Sequence, residues 1–225
     1  MNESPAFLCG LLRRRPCVLP TLRGSLLLLL LSILAAIGVV RGAYPFLAVN
    51  DPVLGGVLVA EGWGPDFFIR EVSEEFKRGH YWGLCVTGGP LEKGSMLIEY
   101  KTSAELAGAT LLKMNFDPKA LHVVPSAEVR KDRTYASALA LKQWLSENHV
   151  SSEKINIMTL GAHARRTRLL FEKAFGKDSR VGIVAVEDKS FPPQEWWSSS
   201  NGFRGVMDEM FAYCYARFLF QPANG

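Results

Sequence analysis

The feature that most constrains this chain is the uncharged run Gly24–Val40, GSLLLLLLSILAAIGVV, whose 17 residues carry no polar face for water. A helix that crosses the hydrocarbon core of a bilayer needs about 17–25 apolar residues, so the run is predicted to span a membrane once. Arg13, Arg14, Arg15 and Arg23 precede it and only Arg41 follows closely. The positive-inside rule then leaves the N-terminus in the cytoplasm and delivers the remainder to the far side of the cell's inner (plasma) membrane. The competing reading is a cleaved secretory signal with Gly42-Ala43 near the cut; the basic leader and the apolar run are both long for one. The expected organisation is a leader over 1–23, a span over 24–40, a stem over 41–55 and one globular domain over 56–220.

Charge supports that division. Residues 1–50 hold five arginines against one glutamate, the whole formal net charge of +4, and of the 26 basic and 22 acidic residues 21 of each remain beyond them. The high isoelectric point therefore reports topology, and no clustered basic surface argues for a nucleic-acid partner. Cys9 and Cys17 precede the span, whereas Cys85 and Cys214 lie in the domain, where a disulfide between them is one option and burial as small free hydrophobes the other. No Cys/His cluster or H-E-x-x-H is present, so no metal is expected.

Beyond the stem, short apolar runs alternate with helical patterns. Strands are expected at 56–60, 84–86, 121–124, 155–159 and 181–186, and helices at 66–78, 103–114, 134–147, 165–175 and 203–220. Five short apolar strands, each followed by a helix, predict an α/β domain with a Rossmann-like, doubly wound, mostly parallel five-stranded sheet. Loops leaving the carboxyl ends of such strands share one edge, where ligands bind near the switch in strand order.

The polar residues of interest fall in those loops. Glu61 ends the first strand as a candidate general base or hydroxyl acceptor, with an ordinary solvated acid as the alternative. Thr87, Gly88 and Gly89 follow the second strand, where glycine lets backbone N–H groups approach an anion, or simply makes a tight turn. Arg130, Asp132 and Thr134 follow the third; Asp132 or Thr134 also suits a helix N-cap. His163 and Arg166 stand at the next helix N-terminus, where N–H groups, the dipole and a guanidinium favour phosphate or carboxylate, and His163 suits acid–base work. Arg165 and Arg168 read more simply as a solvated face. No G-x-x-x-x-G-K-[ST], G-x-G-x-x-G or G-x-S-x-G is present, so no nucleotide loop or serine elbow is expected. The aromatic C-terminal helix is expected to pack on the sheet, with membrane contact as the minor alternative.

These residues resemble the YdcF-like family over about Val57–Val186: an apolar strand entering a short polar loop, V-T-G-G at Val86–Gly89, a Thr opening the middle helix at Thr134, and T-L-G-A-H-A-R-R at Thr159–Arg166 with His163 and Arg166 on H-x-x-R. The chain carries Glu61-Gly62-Trp63 where that family has a Gly-rich turn, and Lys131-Asp132-Arg133-Thr134 where it has Ser-x-Asn-Thr. The resemblance implies a Rossmann-like domain behind one N-terminal span, with roles in bacterial cell-envelope biogenesis or integrity and no settled reaction or cofactor. Three functions compete: an enzyme or binding domain for a phosphate-bearing envelope precursor, a non-catalytic envelope docking factor, and a binder of a nucleotide-type ligand such as S-adenosylmethionine. Fold alone supports the last.

Overall fold

The computed structural model describes residues 18–92, 94 and 96–222, together with the backbone of a short antiparallel pair, β1 (Ala6–Phe7) and β2 (Leu12–Arg13). Cys9, Cys17, Arg14 and Arg15 lie outside the described residues. The chain divides into two units, Met1–Val40 and Arg41–Gly225.

Helix α1 (Leu22–Leu47) contains the apolar run and is long and apolar enough to cross a membrane. Its leucines from Leu26 to Leu31 are all exposed, which fits a helix whose apolar surface has lipid for solvent. The segment 41–55 differs from the expected stem. It opens with the last residues of α1, and Ala43, Tyr44 and Leu47 are buried in the second unit.

The second unit is the expected Rossmann-like domain. Its sheet contains β3 (Val57–Glu61), β4 (Gly83–Gly88), β5 (Leu121–Pro125), β6 (Lys154–Leu160) and β7 (Arg180–Val186), all parallel, in the order β5-β4-β3-β6-β7. Helices α2 (Asp66–Arg78), α3 (Ser103–Lys113), α4 (Arg133–Glu147) and α5 (Ala164–Phe175) connect the strands, and α6 (Ser200–Cys214) follows β7. β3 and β4 are buried at every residue, which is why they read as continuous apolar runs.

Side chains in a strand point alternately to opposite faces. Val57 and Val59 accordingly join one core with Leu141 and Leu145 of α4 and Phe171 of α5. Leu58 and Ala60 join the other, with Phe68, Ile69 and Val72 of α2 and Leu111 of α3. The same alternation carries Glu61 to the α4/α5 face. Ile155 and Ile157 of β6 lie on that face too, so Thr159 follows them there and stands beside Glu61.

The strand order reverses direction between β3 and β6, and that crevice is the ligand position characteristic of doubly wound sheets. The exit of β3 on one side of it is Glu61, and the exit of β6 on the other leads through a single 3₁₀ turn, Gly161–His163, into α5.

Candidate functional site

Glu61 is a buried acid, only 3 % exposed, and not the solvated loop residue that was the alternative. Its Oε2 accepts from Thr159 Oγ1 at 2.5 Å and Thr167 Oγ1 at 3.3 Å, so β6 and α5 each supply a hydroxyl. His163 Nε2 lies 3.4 Å from the same oxygen. Burial works to raise the Glu61 carboxyl, but the His163 cation, the Thr159 hydroxyl and Arg166 outweigh it and hold the group below its ordinary range.

His163 stands between two carboxylates. Its Nδ1 is 2.7 Å from Glu209 Oε1 of α6. Burial alone would make the imidazole less basic, yet Glu61 and Glu209 reverse that and push its pKa up to about 9. Glu209 is in turn held down at about 2, against its own burial, by His163 and Arg166. Arg166 closes the cluster: its Nε donates to Glu209 Oε2 at 2.8 Å and its Nη2 to Glu209 Oε1 at 3.0 Å, a two-point grip on one carboxylate. Arg166 Nη2 also approaches His163 Nδ1 at 2.9 Å. With the imidazole protonated, this is a contact between two donors that share the Glu209 oxygen.

The four groups alternate in sign and sum to zero. Within them one proton has no acceptor in line. His163 Nε2 is buried and makes no hydrogen bond; the Glu61 oxygen, 3.4 Å away, holds it as an ion pair. Trp63, 48 % exposed, meets the imidazole edge-on with ring centroids 5.1 Å apart, so an aromatic surface open to solvent adjoins that proton.

Thr87, Gly88 and Gly89 sit at the same edge, where their carbonyls tie the strand end to its neighbours. Neither glycine has a positive φ. The Thr87 carbonyl accepts from Gly62 N at 2.7 Å, and the Gly89 carbonyl accepts from Ser103 N at 2.9 Å. A side-chain carbon at Gly88 would come within 2.1 Å of Ser103 Oγ, and one at Gly62 within 2.6 Å of the Ser103 carbonyl. These glycines admit the first turn of α3 against the ends of β3 and β4. That turn is fixed by a capping box: Thr102 Oγ1 accepts from Glu105 N at 3.1 Å and Glu105 Oε2 from Thr102 N at 2.9 Å.

The remaining candidates are dispersed. Thr134 is buried in the first turn of α4, and Asp132 precedes the helix in a left-handed conformation, φ 58°, without a capping bond from its side chain. Asp132 reaches the cluster only as one of the charges that favour the Arg166 cation, after Glu209 and Glu61. Arg130 is exposed. Arg133 pairs with Glu92, and Arg165 lies over the Phe46 ring and donates to the Phe46 carbonyl. Arg133 and Arg165 are thus engaged away from the cluster, whereas Arg166 belongs to it.

Glu209 was not among the residues expected here, and its signal was present. Gly202, Val206, Glu209, Tyr213 and Ala216 follow one another at spacings of four and three, the inner stripe of the last helix. An acid on that stripe requires a buried cation. Cys85 is free and buried, Cys214 free and exposed, and no group of three or more His, Cys, Asp or Glu suited to a metal occurs among the described residues. Compared with family models, curated proteins and solved structures, the chain matches none.

Proposed function

We propose that this chain is a membrane-anchored, extracytoplasmic protein of YdcF-like type that binds an anionic, phosphate-bearing ligand at Glu61 and His163, and that it acts in bacterial cell-envelope biogenesis or integrity. The observation that carries the reading is the buried, unpartnered Nε2 proton of His163 at the strand-order switch. Two carboxylates keep the imidazole charged to about pH 9, so at neutral pH it offers an anionic oxygen both a positive charge and a hydrogen bond. It can also act as a general acid, passing the Nε2 proton to an oxygen that leaves phosphorus. Glu61 keeps that proton in place from one side and Glu209 fixes the ring from the other. Arg166 positions Glu209 and holds the ring's second carboxylate. Trp63 offers the ligand a face to stack on. The envelope role rests on the residues shared with the family's H-x-x-R and V-T-G-G segments, and the orientation on the arginines before α1.

The test is binding and turnover of a panel of phosphate monoesters, phosphate diesters and nucleotide sugars by the full chain in detergent, with His163→Gln and Glu61→Gln beside it. Loss of a general acid typically costs 10²–10⁴-fold, and both variants should fall by that order in turnover, or lose the ligand where there is only binding. A ligand bound and processed equally by both variants would remove the site. The docking-factor reading would then lead, since the domain does expose apolar side chains on its last helix.

A further inference from the structure

The last helix carries an apolar surface that the domain does not cover. Arg204, Asp208, Phe211 and Tyr215 follow one another at helical spacing on its outward side, and the stripe changes from charged to aromatic at Phe211. A single π-helical turn, Tyr215–Leu219, then sets Phe218 and Leu219 outward in succession. Phe211, Phe218 and Leu219 are 67 %, 76 % and 72 % exposed. This is a built surface rather than a fraying end. On its inner side Lys173 Nζ donates to the carbonyls of Ala216 at 2.7 Å and Phe220 at 2.8 Å, and the Phe220 ring meets Tyr135 with centroids 5.0 Å apart.

We propose that this face, Phe211, Tyr215, Phe218 and Leu219 with Arg217 beside them, docks on the lipid surface of the membrane that α1 enters. The inference rests on the membrane-anchor part of the proposed function and is independent of the chemistry at His163. Phe46, in the last turn of α1, meets Tyr213 of α6 edge-on with ring centroids 5.6 Å apart, and is itself half-exposed. Phe46 is six residues beyond Val40, the end of the apolar run, about 9 Å along a helix and about 20 Å for the chain pulled straight. The short tether from Val40 to Phe46 therefore keeps α6 within reach of the bilayer boundary; Phe211 and Tyr215, two residues to either side of Tyr213, lie on the opposite side of α6, about one helix diameter of 10 Å further on. Aromatic residues with basic neighbours suit the headgroup zone, where rings reach the acyl boundary and cations meet anionic lipid. The buried Tyr44 in the same turn lies against Gly161, two residues before His163, so docking would hold the carboxyl edge of the sheet beside the membrane.

Cys214 lies in the same stretch with an exposed thiol, while Cys85 is buried and its thiol pushed up to about 12. The full chain bearing Cys9→Ser and Cys17→Ser is labelled at Cys214 with a fluorophore and reconstituted in vesicles of phosphatidylethanolamine and phosphatidylglycerol containing nitroxide lipid, headgroup-proximal in one set and within the acyl chain in a second set that reads Leu30→Cys. Leu30→Cys and Glu147→Cys, each in a chain with Cys214→Ser added, serve as references within the span and on α4. Quenching at Cys214 several-fold above that at Glu147→Cys is expected, falling to that level when Phe211→Ser and Phe218→Ser are combined, with unchanged circular dichroism. A Cys214 label as unquenched as Glu147→Cys, while Leu30→Cys is quenched, overturns the docking and leaves the anchor intact. An unquenched Leu30→Cys overturns the anchor itself. Self-quenching of Cys214 labels between copies, without quenching by lipid, assigns the face to a second copy of the chain and likewise overturns the proposal.

Discussion

At the scale of single residues, the domain is organised around charges that would be costly to bury separately. Glu209 neutralises both His163 and Arg166, so Glu209→Gln leaves two cations facing each other. Breaking a buried pair by removing one partner costs about 3–5 kcal/mol. Because Glu209 and Arg166 retain 18 % and 19 % side-chain exposure, about 2–4 kcal/mol is expected in a denaturant melt, and full stability on substitution would show the cluster to be dispensable for folding. The pH dependence follows from His163. Its pKa is raised from 6.5 to about 9, so its contribution is complete below about pH 6.5 and is lost as pH rises through 9. Stability should fall across that window by up to about 1.4 kcal/mol per pH unit, and His163→Gln should flatten the decline. Glu61 and His163 could be singled out in the sequence because each is a polar residue ending an apolar strand or opening a helix. Glu209 is not marked in that way: the inner-stripe spacing of α6 shows that it is an acid turned inward, but which cations it meets depends on the helix that α6 crosses.

At the scale of elements, regular segments were legible where local chemistry and tertiary demand coincide. Helix α2 occupies the expected span Asp66–Arg78, with an acid in its first turn, Lys77 and Arg78 in its last and Gly79 after it. The last helix differs: one helix to Phe220 is expected from the pattern, whereas α6 ends at Cys214 and widens into the π turn. No glycine or proline marks that change. It is accompanied by Lys173 drawing on the Ala216 and Phe220 carbonyls, a long-range contact. The junction of β3, β4 and α3 shows the opposite economy, with Gly62 needed because the Ser103 backbone is too close for any side chain. Gly62→Ala should cost about 1–3 kcal/mol and displace Glu61 from the hydroxyls of Thr159 and Thr167, visible as a lower melting temperature together with a less basic His163. An unchanged melting temperature would mean that α3 moves freely at that joint.

At the scale of the whole molecule, the doubly wound sheet was legible because β3, β4 and β6 are buried almost throughout and α2 and α5 are strongly amphipathic, and these periodicities depend little on distant contacts. What could not be read from the chain alone is how four elements converge: β3 gives Glu61, the turn after β6 gives His163, α5 gives Arg166 and Thr167, and α6 gives Glu209. That convergence produces a charged imidazole at the strand-order switch whose Nε2, ion-paired with Glu61, makes no hydrogen bond. The most direct test is a ¹⁵N nuclear magnetic resonance titration of the His163 ring in the full chain in detergent. Both ring nitrogens should report protonation at neutral pH, with a midpoint near 9 that falls towards the ordinary value of about 6.5 in Glu209→Gln. A neutral ring at pH 7.5, titrating near 6.5 in the unaltered protein, would contradict the account.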